Sequence, residues 1–157
     1  MNSMETEMIP HPVVESLQEY DEDIAVQIRA LMPHLDESFS GELTDENRAN
    51  MQHMIESDDY DICFIRIGEE VVGTFSLSVT RGAGFGERLQ LEDVVVDPST
   101  RGMGLGHLII DAIKEQARAR NISKIFLQTE AERAEALGLY TSTGARVTDE
   151  ITLEYEV

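Results

Sequence analysis

Cysteine is nearly absent from this chain: one residue, Cys63, in 157. A lone cysteine excludes an intrachain disulfide and any multi-cysteine metal cluster, and it fits a reducing compartment. Lysine is almost as scarce. Lys114 and Lys124 are the only lysines among 12 basic residues, which face 31 acidic ones, so the net charge is −19. So strong an anionic field counts against nucleic-acid binding by general basic attraction and favours a cationic ligand. A heavily charged, solvated surface is the plainer reading of the same numbers. Long apolar runs are missing as well. No stretch reaches the ~18–20 residues of a membrane helix, and no charged segment followed by an apolar one opens the chain as a secretory signal would. These absences predict a soluble, cytoplasmic protein. The length suits one domain over residues 1–157, with 1–12 a polar, proline-broken lead-in. With 41% hydrophobic and 27% charged residues, wholesale disorder is not expected.

What is present reads as a succession of short elements. A strand is expected near Val13 and Val14. Ile24, Ile28, Leu31 and Leu35 recur at helical spacing over 21–35, with Asp21 or Asp23 as cap. Thr44 caps a second helix running to about Glu56. The period then changes to that of strands, over 62–67, 71–80 and 89–96, with Gly82 to Gly86 as a hairpin connection. A strong helix follows over 105–120, then a strand over 124–129. A last helix spans 131–143, interrupted by Gly138, and a strand covers 151–157, where Ile151, Leu153, Tyr155 and Val157 alternate with polar residues. The order is that of a mixed α/β sheet.

One stretch is informative beyond its period. Leu91 to Gly106 (LEDVVVDPSTRGMGLG) runs from a strand into a glycine-rich turn that opens a helix. Such a turn lets backbone approach a ligand, and the helix start offers unpaired N–H groups and a positive dipole end, an arrangement suited to pyrophosphate. Arg101 adds a cation there. Two familiar phosphate loops fail against it. Gly106 is followed by His107 and Leu108 rather than Lys-Ser/Thr, and the third glycine of a dinucleotide fingerprint would fall at Ile109. His11, His34 and His53 lack metal-ligand spacing, so no metal is expected.

Arg101-Gly102-Met103-Gly104-Leu105-Gly106 resembles the R/Q-x-x-G-x-G/A coenzyme A motif of the GNAT family of N-acetyltransferases. Leu91 to Pro98 is similar to that family's fourth strand and turn, and Ala136, Leu139-Tyr140 and Gly144-Ala145 to its A-x-x-L-Y-x-x-x-G-F pattern. Leu91-Glu92-Asp93 and Gly144-Ala145 are also similar to the diamine and polyamine acetyltransferase branch. Two positions depart: Arg133 stands where the family often has asparagine, and Ala145 where it has phenylalanine.

The resemblance implies a mostly antiparallel central sheet flanked by about four helices. It implies direct acetyl transfer from acetyl-CoA to a primary amine, with no enzyme nucleophile and no metal. The pantetheine arm would lie along Val94, Val95 and Val96, the Val94 N–H would polarise the thioester, and the N–H groups of residues 101–106 would take the pyrophosphate. Arg133 replaces a pantetheine contact, with a coenzyme phosphate as its alternative partner. Glu92 is the candidate base, against a solvated structural carboxylate. Tyr140 is the candidate acid, against core packing with a polar tip. Asp93 is expected on the opposite face from Glu92. The acidic balance favours a small cationic amine as acceptor. A protein or peptide amine is the second choice, a non-catalytic acyl-CoA sensor is a competing class, and a homodimer is among the assemblies open to such a chain.

Overall fold

The computed structural model describes residues 9–157. Most of the expected lead-in lies outside the described residues, and positions 9–12 belong to no helix or strand. One five-stranded sheet is built from β1 (Val13–Ser16), β2 (Tyr60–Ile67), β3 (Glu70–Gly82), β4 (Gly86–Val96) and β5 (Ile125–Leu127), in that spatial order. The first three pairings are antiparallel and β4–β5 is parallel. Four helices flank it: α1 (Glu22–Leu35), α2 (Asp45–Glu56), α3 (Leu105–Ala119) and α4 (Ala134–Ser142). This is the expected fold class. Among the described residues, no helix is long and apolar enough to cross a membrane.

Local chemistry explains the helix starts. The Asp21 carboxylate accepts from the Ile24 N–H at 3.0 Å, and Thr44 and Asn47 form a reciprocal capping box for α2. The sheet is covered on both faces. Ile28 and Leu31 of α1 and Met51 of α2 join Phe64 and Val71 on one side, while Ile109 and Ile113 of α3 join Phe75, Leu77 and Leu89 on the other. Each fully buried aliphatic side chain contributes roughly 1.5–3 kcal/mol of transfer free energy. Cys63 is buried in β2, and burial pushes its thiol up to about 12, so it stays protonated and serves as packing.

The structure corrects three expectations. The strand over 151–157 does not form. Ile151, Leu153, Tyr155 and Val157 are all exposed, and the segment is tied back by a side-chain bond from Gln128 Nε2 to Thr152 Oγ1 at 2.7 Å. Alternation selects a face, but a strand also needs a partner edge, and β5 is only three residues long instead of the six expected. The last helix starts at Ala134 rather than 131, with no side chain capping it. It also runs straight through Gly138. That glycine is exposed, its φ is not left-handed, and a Cβ built on it meets nothing within 4 Å. Gly138→Ala is therefore expected to stabilise the fold by about 0.5–1 kcal/mol, a Tm rise of roughly 1–4 °C in a thermal melt.

Candidate active site

Strand β4 is regular as far as Glu92 and then departs from the pleat. Its register with β3 pairs Ser76 with Glu92 but Thr74 with Val95, so Asp93 and Val94 together oppose Phe75. This is a β-bulge, and Asp93 carries it with a left-handed φ of 52°. Asp is one of the few side chains that tolerate that region. The extra residue reverses the facing of everything beyond it. Leu89 and Leu91 pack on the α3 side, yet Val95 packs with α1 and α2, while Val94 and Val96 take over the α3 side. The parallel pairing with β5 also ends at Leu91. From Glu92 onward the outer edge of β4 has no neighbouring strand among the described residues, and neither Asp93 nor Val94 has a register partner on either side there. Backbone donors and acceptors exposed in this way form a ready edge for an extended ligand.

Glu92 and Asp93, expected on opposite faces, both line one cavity beside the bulge. That cavity has a volume of about 400 Å³, within the ordinary range for small-molecule sites. Leu91 to Val94 form its floor, Leu127 to Glu130 one wall, Arg133, Ala136 and Tyr140 of the α4 region another, and Leu35 and Thr152 its rim. Tyr140 is buried, and its hydroxyl makes no hydrogen bond to another described residue. Burial pushes its pKa up, with the Arg133 charge pulling the other way, so it stays a neutral O–H donor. Water reaches Asp93, but crowding by the surrounding protein desolvates its carboxyl enough to push the pKa up, partly offset by Arg29. A desolvated carboxyl in a cleft marks a candidate proton acceptor.

At the far end of β4, Asp97 caps a single helical turn, Pro98–Thr100. Its carboxylate accepts from the Ser99 N–H at 2.9 Å, a bond that holds its pKa down. The loop then enters α3 through Gly104, which has a left-handed φ of 75° and provides no side-chain cap. The first N–H groups of α3 are therefore left for a ligand. Gly102 is also left-handed, and a Cβ at either glycine would meet nothing within 4 Å. Gly106 is constrained differently: a Cβ there would lie 2.7 Å from Leu139 Cδ2, so small size lets α3 approach α4. Arg101 is mostly exposed, 3.6 Å from Glu135. Met103 is exposed and Leu105 buried in the core. An extended edge leading into this glycine turn fits a pantetheine arm followed by a pyrophosphate.

Arg133 stands at the start of α4. Its guanidinium donates to the Leu35 carbonyl at the end of α1 and sits 3.4 Å from Glu130. It lines the cavity beside Tyr140 and also a second, adjoining cavity of about 490 Å³ rimmed by His34, Asp36, Glu37 and Glu130. Asp36 is held in its charged form by hydrogen bonds from Ser38. The residues missed from sequence are thus Asp93, Leu35 and the 127–130 wall. The only signal for Asp93 was its residue type, which favours left-handed backbone.

A family model described as the acetyltransferase (GNAT) family matches residues 28–145. An IAA acetyltransferase of Azospirillum brasilense is 30% identical over 86 residues, 54% of each chain. The chain spans about half the length of the curated relatives it matches. Among solved structures, a transcriptional regulator from Bacillus halodurans C-125 superposes with a TM-score of 0.82 at 20% identity, covering 93% of this chain and 100% of the other. An aminoglycoside acetyltransferase from an uncultured soil metagenomic sample, in complex with sisomicin, gives 0.80 at 18% identity, covering 93% and 95%. At these identities the two structures speak for the fold.

Proposed function

Because the chain belongs to the GNAT acetyltransferase family, we propose that it transfers the acetyl group of acetyl-CoA directly to a primary amine, and that the amine is a small cation. The observation that carries this reading is the bulged, unpaired half of β4, which joins a glycine-rich anion turn at one end to a cavity holding two carboxylates and a free tyrosine hydroxyl at the other. Acetyl-CoA supplies the activated thioester. The chain's own groups do the rest. The free edge of Val94 to Val96 holds the extended arm, and residues 101–106 hold the pyrophosphate. The Val94 N–H, which has no strand partner, donates to the carbonyl oxygen as charge develops there.

Asp93 takes a proton from the incoming ammonium, so that its nitrogen gains a lone pair to attack the thioester carbon. Glu92 shares the cavity floor, as a second proton acceptor or as the anchor of a bound ammonium. As the C–S bond breaks, the Tyr140 hydroxyl donates its proton to the leaving thiolate, and the second proton of the attacking nitrogen, released as the amide forms, returns to the Tyr140 oxygen. The acid-rimmed second cavity and the net charge of −19 support a cationic acceptor. Aminoglycosides are themselves polycationic amines, which agrees with this choice.

The test is a thiol-release assay with acetyl-CoA and a panel of polyamines, diamines, aminoglycosides and basic peptides, with coenzyme binding titrated in parallel. Release with the small cations supports the proposal. Release with peptides alone moves the acceptor class to protein amines, and tight coenzyme binding without any release moves the chain to the sensor class. Tyr140→Phe is expected to lower kcat at least about tenfold while leaving the acetyl-CoA Kd within about twofold. A wild-type kcat and pH–rate profile would assign the thiolate's proton to another donor.

A further inference from the structure

Lys114 is one of the two lysines in the chain, and it makes no ion pair with a carboxylate among the described residues. It is half-buried on α3, and its ammonium goes to a carbonyl instead: Nζ donates to the Thr143 oxygen at 2.8 Å. Thr143 is the C-terminal cap of α4, and Tyr140 lies in the turn before it. The chain leaves α4 by a Schellman turn built around that tyrosine. Gly144, at a left-handed φ of 104°, donates to the Thr141 carbonyl at 3.2 Å, and Ala145 donates to the Tyr140 carbonyl at 2.9 Å. The Thr143 hydroxyl donates to the Leu139 and Tyr140 carbonyls at 2.8 and 3.0 Å. The Thr143 carbonyl is left over, and Lys114 takes it, with its charge at the negative end of the α4 dipole.

Helix α4 depends on such a fastening. It is nine residues long, has no side-chain cap at its start and contains Gly138, so it has little helical stability of its own. Its other grip on α3 is the close approach of Leu139 to Gly106. The two contacts flank Tyr140 in the chain. We propose that Lys114 is a positioning residue for the acetyl transfer: it fastens the last turn of α4 to α3 and so holds the Tyr140 hydroxyl at a set distance from the coenzyme turn. This rests on the reading above of residues 101–106 as the pyrophosphate site and of Tyr140 as proton donor to the thiolate. The pyrophosphate fixes one end of the coenzyme at the start of α3, and the pantetheine arm carries the sulfur a set length from there. Leu105 to Lys114 spans about 13 Å of α3, so one helix carries both the anion turn and the fastening of the donor. Without Lys114 the half-exposed Thr143 turns its carbonyl to water and the last turn of α4 frays, while the α3 core stays packed. A donor displaced by about 1 Å loses much of its effect on the rate.

The experiment combines kinetics on acetyl-CoA and spermidine with fluorine NMR on protein labelled with 3-fluorotyrosine. Lys114→Met, which keeps the stem and drops the charge, is expected to lower kcat about five- to twentyfold with the acetyl-CoA Kd within about twofold of wild type. In the Tyr140→Phe background the same substitution is expected to change kcat by less than about twofold, because no hydroxyl remains to be misplaced. Lys114→Arg, whose guanidinium can donate to the same carbonyl, is expected to recover most of the loss. The label marks four tyrosines, and the Tyr140 resonance is the one missing from Tyr140→Phe. With coenzyme A bound, Lys114→Met is expected to broaden that resonance or move it toward the exposed tyrosines, and Lys114→Arg to leave it in place. The fluorine readout uses no acceptor, so it decides the fastening of Tyr140 even if spermidine is not turned over. An unmoved Tyr140 resonance in Lys114→Met overturns the proposal. An equal loss of kcat in both backgrounds overturns it too, since a merely structural role would act on both. A wild-type kcat for Tyr140→Phe removes the acid reading and this proposal with it.

Discussion

Gly104→Glu is expected to raise the acetyl-CoA Kd by about a hundredfold or more. Gly104 sits at the left-handed entry to α3, and its missing Cβ faces open space rather than protein. A glutamate there places a carboxylate where the uncapped N–H groups of α3 and the Arg101 guanidinium converge. The same positive field that attracts a pyrophosphate would hold the new carboxylate instead, and the phosphates would meet like charge. Backbone strain acts as well, at roughly 1–2 kcal/mol for a non-glycine side chain in that region. Gly104→Ala carries the strain without the charge, so it should lower Tm and change Kd far less. Arg101→Ala should weaken binding by about three- to tenfold, because the exposed arginine already shares its charge with Glu135. Titration calorimetry on the three variants separates these effects. An unaltered isotherm for Gly104→Glu would remove the coenzyme from this turn.

Asp93→Asn should lower kcat/KM by about a hundredfold or more while raising thermal stability at neutral pH. The two effects have one cause. Partial desolvation by the surrounding protein pushes the Asp93 carboxyl above its ordinary pKa. A carboxyl raised on folding favours the folded state at pH values below its unfolded pKa, and that contribution is lost as pH rises through the folded value. At pH 7 the charged side chain therefore works against folding, and asparagine, which also tolerates left-handed backbone, relieves it. Water still reaches the site, so the Tm gain is small, roughly 1–2 °C, and it should shrink as pH falls toward about 4. Glu92→Gln is expected to lose less activity than Asp93→Asn. The reverse order, with the alkaline-going rise in rate abolished by Glu92→Gln alone, would make Glu92 the proton acceptor. A fall in Tm for Asp93→Asn at pH 7 would contradict the desolvation account.

The local signals were legible because each one is local. Asp21 and Thr44 cap the helices they precede, and the 3.6 period of Leu105, Ile109, Ile113 and Ala117 forms one buried stripe on α3. The apolar, β-branched strands expected over 62–67, 71–80 and 89–96 all join the sheet. The glycine turn was legible for the same reason, since left-handed backbone at Gly102 and Gly104 depends on residue type. The segment 151–157 shows where period alone fails. Its alternation is cleaner than that of β2, whose Ile62 to Ile65 form a continuous buried run, but among the described residues no edge is placed to receive it.

The sequence by itself determined the mixed α/β class, the element order as far as residue 143, the coenzyme-type turn and the family resemblance, because caps, periods and glycine positions act over a few residues. Tertiary structure alone decided the site. A one-residue mismatch between β3 and β4 lies where Asp93 and Glu92 line one cavity, and it exchanged the faces of Val94, Val95 and Val96. The end of β5 at Leu127 left the outer edge of β4 free, and a single long-range hydrogen bond ties Arg133 to the Leu35 carbonyl, 98 residues away in the chain. Register, edge exposure and long-range contacts are properties of pairs of elements, and no period within one element encodes them.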